Sequence, residues 1–313
     1  MNTLAVVVEK PEHLLLRHLP LAPPGDDDVV VDVEWSGIST GTERLLWSGR
    51  MPPFPGMGYP LVPGYESVGR ITAAGRQSAS RVGDRVFVPG ARCFGDVRGL
   101  FGGAAERLVV PAVKAIAIDE ALGEKGVLMA LAATARHVTS RPGATHPDLI
   151  VGHGVLGRLL ARLAMAAGAP PPVVWERHPQ RRDGATGYDV VDPANDRRRD
   201  YRVICDVSGD ASLLDDLVGR LAPGGEIVLA GFYAERLGFD FPAAFMREAR
   251  IRIAAEWQAA DLSEVKALIE RGRLSLDGLI THRSAARQAD AAYRTAFGDP
   301  ACLKMILDWR EPS

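Results

Sequence analysis

Asp148-Leu149-Ile150-Val151-Gly152-His153-Gly154-Val155-Leu156-Gly157-Arg158-Leu159-Leu160-Ala161-Arg162 is the run that decides the fold of this chain. Leu149, Ile150 and Val151 make a short apolar strand. Gly152 to Gly157 then fits G-x-G-x-x-G, and Val155, Leu156, Leu159, Leu160 and Leu163 recur on one helical face. A strand, a glycine turn and a helix in that order are the context a dinucleotide-binding turn requires. Gly152 allows the tight turn, Gly154 lets a pyrophosphate approach the backbone, and Gly157 lets helix and strand pack closely. The helix start offers free N–H groups and a positive dipole end to the phosphates. The predicted cofactor segment is therefore Gly152, His153, Gly154, Val155, Leu156 and Gly157, with His153 near the pyrophosphate.

Working forward, the next strand-like run, VVWE (173–176), ends on Glu176. A carboxylate there accepts from ribose hydroxyls and repels a 2′-phosphate, which favours NAD. Arg177, Arg181 and Arg182 cut the other way, since a guanidinium pairs with a 2′-phosphate. More strand-like runs follow at 188–191, 201–207, 225–231 and 250–256, with helical patterns such as SLLDDLVGRLA (212–222) between some of them. Strands alternating with helices imply a parallel sheet with right-handed crossovers. Working backward, the pattern changes near residue 120. LAVVVE (4–9), VVVDVEW (29–35), YESVGRIT (65–72), DRVFV (84–88) and AERLVV (105–110) are short strands parted by Gly and Pro, as in a small barrel or sandwich. GVLMALAATARHVTS (126–140) is predicted helical. The tail from 257 carries helical patterns at 262–272 and 290–297 and a final strand at 302–309. The fold class is α/β, a doubly wound parallel sheet with a β-rich domain before it.

Composition removes other classes. The chain has 313 residues, 47% hydrophobic and 24% charged, with a net charge of −2. That is ordinary for a globular protein and gives no electrostatic footprint for nucleic acid. Cys93, Cys205 and Cys302 form no C-x-x-C pair, so reduced thiols and no cysteine-rich zinc lobe are expected. The N-terminus does not read as a signal peptide, and no apolar run reaches the ~18–20 residues of a membrane span. A cytoplasmic protein is expected.

The second informative stretch is Trp35–Gly69, WSGISTGTERLLWSGRMPPFPGMGYPLVPGYESVG. With the glycine turn, it makes the whole chain resemble the medium-chain dehydrogenase/reductase superfamily. That resemblance implies a GroES-like β-barrel catalytic domain at 1–122, a Rossmann domain at 123–256 and a return to the catalytic domain at 257–313. Zinc members carry a G-I-C-G-T-D-like segment and a G-H-E segment. Here Ser39 and Tyr65 stand at the cysteine and histidine positions, and Glu66 alone remains a plausible ligand type. No metal is expected. Within the superfamily, SGISTGTERLLWSG (36–49), PGMGYPLVPGYESVG (55–69) and LAATARH (131–137) resemble a branch of bacteriochlorophyll biosynthesis. By that resemblance the chain would oxidise the 3-(1-hydroxyethyl) group of a bacteriochlorophyllide to 3-acetyl with NAD, in the cytoplasm or at the periphery of photosynthetic membranes. Superfamily members often pair the edge strands of their Rossmann sheets, so a homodimer through 250–256 is a further expectation.

Oxidising an alcohol requires an acceptor for the hydroxyl proton, and without zinc a side chain or water relay must serve. Tyr65 is the first candidate, Ser39 and Thr40 would bond the substrate oxygen, Glu66 would tune Tyr65 or bind water, and His137 is a candidate proton carrier. Each has a plain structural reading as well: pocket lining, turn chemistry, a buried carboxylate and a helix-packing histidine. Met51, Phe54, Met57 and Tyr59, on the long link Arg50–Pro63, would offer an adaptable apolar wall to a flat tetrapyrrole. They would otherwise cap the barrel. Two other functions stay open: an NADPH-dependent quinone or enone reductase, and a non-catalytic NAD(H) sensor.

Overall fold

The computed structural model describes residues 1–140 and 145–310. The chain forms two compact units, Met1–Ala130 with Leu279–Ser313, and Leu131–Gly278.

The first unit opens with the antiparallel pair β1 (Asn2–Lys10) and β2 (His13–Pro20), followed by β3 (Asp28–Ile38). Val6, Val7 and Val8 and then Val29, Val30, Val31 and Val33 are buried, as β-branched residues in central strands should be. A short helix α1 (Thr42–Ser48) leaves the end of β3 and stops at Gly49 in the left-handed region. Next come β4 (Leu61–Val62), β5 (Ser67–Ala74), β6 (Arg85–Val88), β7 (Arg98–Gly99), β8 (Arg107–Pro111) and β9 (Ile116–Ala117). Then α2 (Met129–Thr139) begins, preceded by 3-10 turns over Glu120–Leu128, so the helix predicted from 126 starts three residues later.

The second unit carries β10 (Leu149–Val151), α3 (Val155–Ala166), β11 (Val173–Trp175), α4 (Pro179–Arg182), β12 (Asp189–Val191), β13 (Tyr201–Asp206), α5 (Leu214–Arg220), β14 (Leu221–Leu229), α6 (Phe241–Met246), β15 (Arg250–Ile253) and α7 (Ala259–Glu270). Its six strands are parallel in the order β12-β11-β10-β13-β14-β15. This is the doubly wound sheet the sequence implies. Leu149, Val151, Trp175, Ile204, Ile227 and Leu229 share one core cluster with Leu214, Leu217 and Val218 of α5.

The chain then re-enters the first unit with β16 (His282–Ala285), α8 (Ala289–Gly298) and β17 (Met305–Asp308). One sheet there has the order β2-β1-β4-β7, and the larger one runs β16-β17-β3-β5-β6-β9 with β8 also on β3. Two antiparallel pairings at the larger sheet matter most. Ser36 faces Ser67 across β3 and β5, and Ile38 faces Met305 across β3 and β17. The end of β3, the start of β5 and the start of β17 therefore meet at one end of a three-strand ladder.

Candidate active site

That ladder end gathers residues far apart in sequence. Ser39 follows β3, Tyr65 and Glu66 precede β5, and Lys304 precedes β17. The Gly37 N–H donates to the Glu66 carbonyl at 2.8 Å, carrying the β3–β5 pairing up to the site. A Cβ on Gly37 would come within 2.1 Å of Glu66 Oε2, so only glycine lets that side chain lie across the strand. The Tyr65 hydroxyl donates to Ser39 Oγ at 2.6 Å, and the Thr42 side chain bonds Tyr65 as well. Burial, and next the negative charge of Glu66, push the Tyr65 phenol well above its ordinary value. Tyr65 thus stays protonated and can take a proton only while passing its own on. Thr40 is half-buried in the turn between β3 and α1.

Glu66 is fully buried, and its Oε2 accepts from Lys304 Nζ at 2.6 Å. The same ammonium donates to the Ile38 carbonyl at 3.2 Å. Burial raises the Glu66 carboxyl, and Lys304 partly offsets this. Glu66 Oε1 meets no protein donor among the described residues.

Three residues of this cluster were not singled out from sequence: Glu43, Tyr293 and Lys304. Glu43, on α1, is fully buried; its Oε1 accepts the Ser39 N–H at 3.0 Å and its Oε2 accepts the Tyr293 hydroxyl at 2.6 Å. Burial pushes its carboxyl up to about 7 despite both bonds, and the neighbouring Glu66 adds to the rise. The Tyr293 phenol is raised in turn, by burial and by Glu43. The one available signal was Glu43 as an acidic residue in the first turn of a helix that starts just past Ser39, where the helix dipole favours a carboxylate.

The zinc-type positions thus hold a hydroxyl and a raised phenol, and the remaining carboxylate is engaged by an ammonium. That donor set does not fit zinc, which takes thiolate, imidazole and free carboxylate. Among the described residues no group of three or more His, Cys, Asp or Glu is placed to hold a metal.

The glycine turn fits a dinucleotide. Gly152 has φ +108°, a Cβ on Gly157 would lie 1.9 Å from the Gly152 carbonyl, and one on Gly154 would meet no protein atom within 4 Å. The turn is packed tight where helix meets strand and open where a phosphate would come. Val155 and Leu156 begin α3, with Val155 in the core. Glu176 is buried just past β11, and its oxygens accept the N–H groups of His153 at 3.2 Å and His178 at 2.9 Å. His153 points into the unit. Its Nδ1 lies 2.6 Å from the Arg181 carbonyl and must donate, so Nε2 accepts from the Tyr188 hydroxyl at 2.8 Å. Burial lowers its pKa to about 4 and keeps it neutral. Arg158, also unforeseen, is buried and donates to the carbonyls of His153, Arg181 and Asp183. Arg177 is exposed and reaches Asp210 at 3.1 Å. Arg182 binds the Glu176 and Arg177 carbonyls and Asp192.

The other candidates have partners of their own. His137 belongs to the second unit, where its Nδ1 sits 2.7 Å from Asp261, which also accepts the Gln258 N–H in the cap of α7. Of the apolar quartet, Met51 is buried in the core of the first unit, while Phe54, Met57 and Tyr59 are half-buried against it. The Tyr59 hydroxyl donates to the Leu46 carbonyl. All three cysteines are buried thiols outside any disulfide. No helix among the described residues is long and apolar enough to cross a membrane.

Comparison with known proteins places this geometry. Residues 25–120 match the alcohol dehydrogenase GroES-like domain. The chain is 59% identical over 312 residues to a 2-desacetyl-2-hydroxyethyl bacteriochlorophyllide A dehydrogenase of Rhodobacter capsulatus, covering 99% of each chain. A protein of the same name from Cereibacter sphaeroides is also 59% identical, over 315 residues and 99% of each chain. Among solved structures, an alcohol dehydrogenase from E. coli CFT073 complexed with NADH superposes with a TM-score of 0.83 at 24% identity, covering 98% of this chain and 99% of that one.

Proposed function

The chain belongs to the 2-desacetyl-2-hydroxyethyl bacteriochlorophyllide A dehydrogenase family, within the medium-chain dehydrogenase/reductase superfamily, and we propose that it oxidises the hydroxyethyl group of a bacteriochlorophyllide to acetyl with NAD and without zinc. The observation that carries the zinc-free part is the Tyr65–Ser39 hydrogen bond at the positions where zinc members hold metal ligands.

Bound nicotinamide supplies the hydride acceptor. Glycines 152, 154 and 157 with the start of α3 hold its pyrophosphate, and Glu176 holds the adenosine ribose. Arg177 and Arg182 are already engaged by Asp210 and Asp192, which supports NAD over NADP. The alcohol hydroxyl lies against Tyr65 and Ser39. Tyr65 accepts its proton in step with passing its own to Ser39, since a standing phenolate is disfavoured there. Ser39 hands a proton on to water, and Thr40 orients the oxygen. Phe54, Met57 and Tyr59 face the macrocycle, with Met51 backing them from the core. A second copy docks along β15, the edge strand of the sheet, whose Ile251 and Ile253 are exposed. An Ile253→Glu variant that elutes at the wild-type size would remove the dimer from the proposal.

The test is absorbance turnover with purified protein, hydroxyethyl- or vinyl-bearing pigment, and NAD or NADP, with and without a zinc chelator. NADH formation on the hydroxyethyl pigment alone, unaffected by chelation, is expected. Loss on chelation with recovery on zinc would sink the zinc-free mechanism. A preference for NADPH and activated double bonds would point to a quinone-type reductase, and tight NAD(H) binding without turnover to a sensor.

A further inference from the structure

We propose that Lys304 is a positioning residue whose ammonium ties together the two backbone segments that present Ser39 and Tyr65. This rests on the reading that those two side chains handle the alcohol proton. Lys304 is 1% exposed and comes from the C-terminal return, 238 residues from Glu66. Its two acceptors are placed symmetrically about the pair. The Ile38 carbonyl belongs to the residue just before Ser39, and the Glu66 carboxylate to the residue just after Tyr65. A metal at the zinc-type positions would cross-link these segments through residues 39 and 65. Here the cross-link lies one residue to the side on each, and a fixed cation of the protein makes it.

Burying a lysine is costly, and an apolar side chain of similar size is often as stabilising as a buried ion pair. Stability alone is therefore a poor account of this one. The return is geometric. Ser39 and Tyr65 sit on separate turns, and their 2.6 Å bond survives only small relative displacements. Glu43 and Tyr293 hydrogen-bond on the Ser39 side of the pair, while Lys304 bonds on both sides. Among the described residues Glu66 Oε1 has no protein donor, so the ammonium is what orients that carboxylate.

The experiment compares wild type with an E66Q/K304M double variant, which removes both charges at similar volume and leaves no buried lone ion, and with K304R, which keeps donors in place. The double variant should bind NAD within about threefold of wild type yet lose turnover by about 30- to 100-fold, as an ångström-scale misplacement does. Its crystal structure should show Tyr65 Oη and Ser39 Oγ beyond about 3.5 Å. K304R should recover most of the turnover and the short contact. Wild-type kcat in the double variant, or an intact 2.6 Å pair in its crystal structure, overturns the tie. If the double variant does not fold, K304R decides: a lost Tyr65–Ser39 contact with both donor bonds of residue 304 intact overturns the tie. A wild-type protein without turnover on the hydroxyethyl pigment refutes the functional reading instead, and the crystallographic distance still judges the tie.

Discussion

The two buried polar clusters are assembled by opposite rules. In the second unit, His153, Arg158, Glu176 and Tyr188 lie within one stretch of chain and bond chiefly to the backbone of the glycine turn and its neighbours. In the first unit, Glu43 meets Tyr293 across 250 residues and Glu66 meets Lys304 across 238, side chain to side chain. The local cluster shapes a surface that many sequences could build from glycine and a helix start. The non-local one depends on particular partners arriving from the far end of the chain.

The contrast is broken most severely in the glycine turn. Gly157→Val would drive a side chain into the Gly152 carbonyl, already 1.9 Å from an ideal Cβ. It should weaken NAD binding by about 100-fold or more and cost several kcal/mol of stability, on the order of 3. Gly154→Ala is its partner test. No protein atom lies within 4 Å of that Cβ, so the fold should be unaffected while NAD affinity falls about tenfold. Calorimetric titration separates the two. A Gly154→Ala protein that binds NAD as wild type does would move the pyrophosphate off this turn.

In the first unit Tyr65→Phe removes one oxygen and leaves the ring packed edge-on to Phe101. Turnover should drop by about 100-fold or more with NAD affinity unchanged. Unchanged turnover would place the proton acceptor elsewhere.

These effects follow what could be read in the chain. The strand, glycine turn and helix of 148–163 obey local rules, so the parallel sheet and the role of each glycine were visible in one window. Ser39, Tyr65 and Glu66 were visible as departures from a known frame. Their neighbours were not. Lys304 sits in CLKMILDW, a run that reads only as a strand, and no periodicity says that its lysine faces inward. Tyr293 looks like any aromatic of an amphipathic helix. Both reach the site through the register of β17 on β3 and the packing of α8, which are tertiary facts. His153 was placed by its position in the turn, but its ring is turned inward by Arg181 and Tyr188. The Arg158 side chain supports the turn from beneath, a role hidden among the charges of a helix.

The clusters also respond to pH with opposite sign. Burial raises Glu43 from 4.5 to about 7, so the folded state holds its proton more tightly than the unfolded chain does. Its contribution is full below pH 4.5 and lost as pH rises through 7, about 3 kcal/mol over that window. Burial lowers His153 from 6.5 to about 4, so its contribution is full above pH 6.5 and lost as pH falls through 4, again about 3 kcal/mol. Denaturant midpoints from pH 4 to 8 should show Glu43→Gln flattening the fall on the alkaline side and His153→Gln flattening the fall on the acid side. Parallel pH curves for wild type and Glu43→Gln would mean that Glu43 carries no such proton.

The smallest effect probes the rim of the local cluster. Arg177 is 67% exposed and pairs with Asp210, an arrangement in which ion pairs contribute little. Arg177→Ala should change stability by less than about 1 kcal/mol and NAD affinity by less than about threefold. Its value lies in the comparison with Glu176→Ala, one residue earlier and buried. That variant frees the His153 and His178 N–H groups from their shared acceptor and removes the charge that repels a 2′-phosphate. NAD affinity should fall and NADP affinity should rise, which two binding titrations would show. If Arg177→Ala instead weakened NADP alone and Glu176→Ala left NAD untouched, the nucleotide would be read by the exposed guanidinium, and the buried carboxylate would serve only to hold the turn.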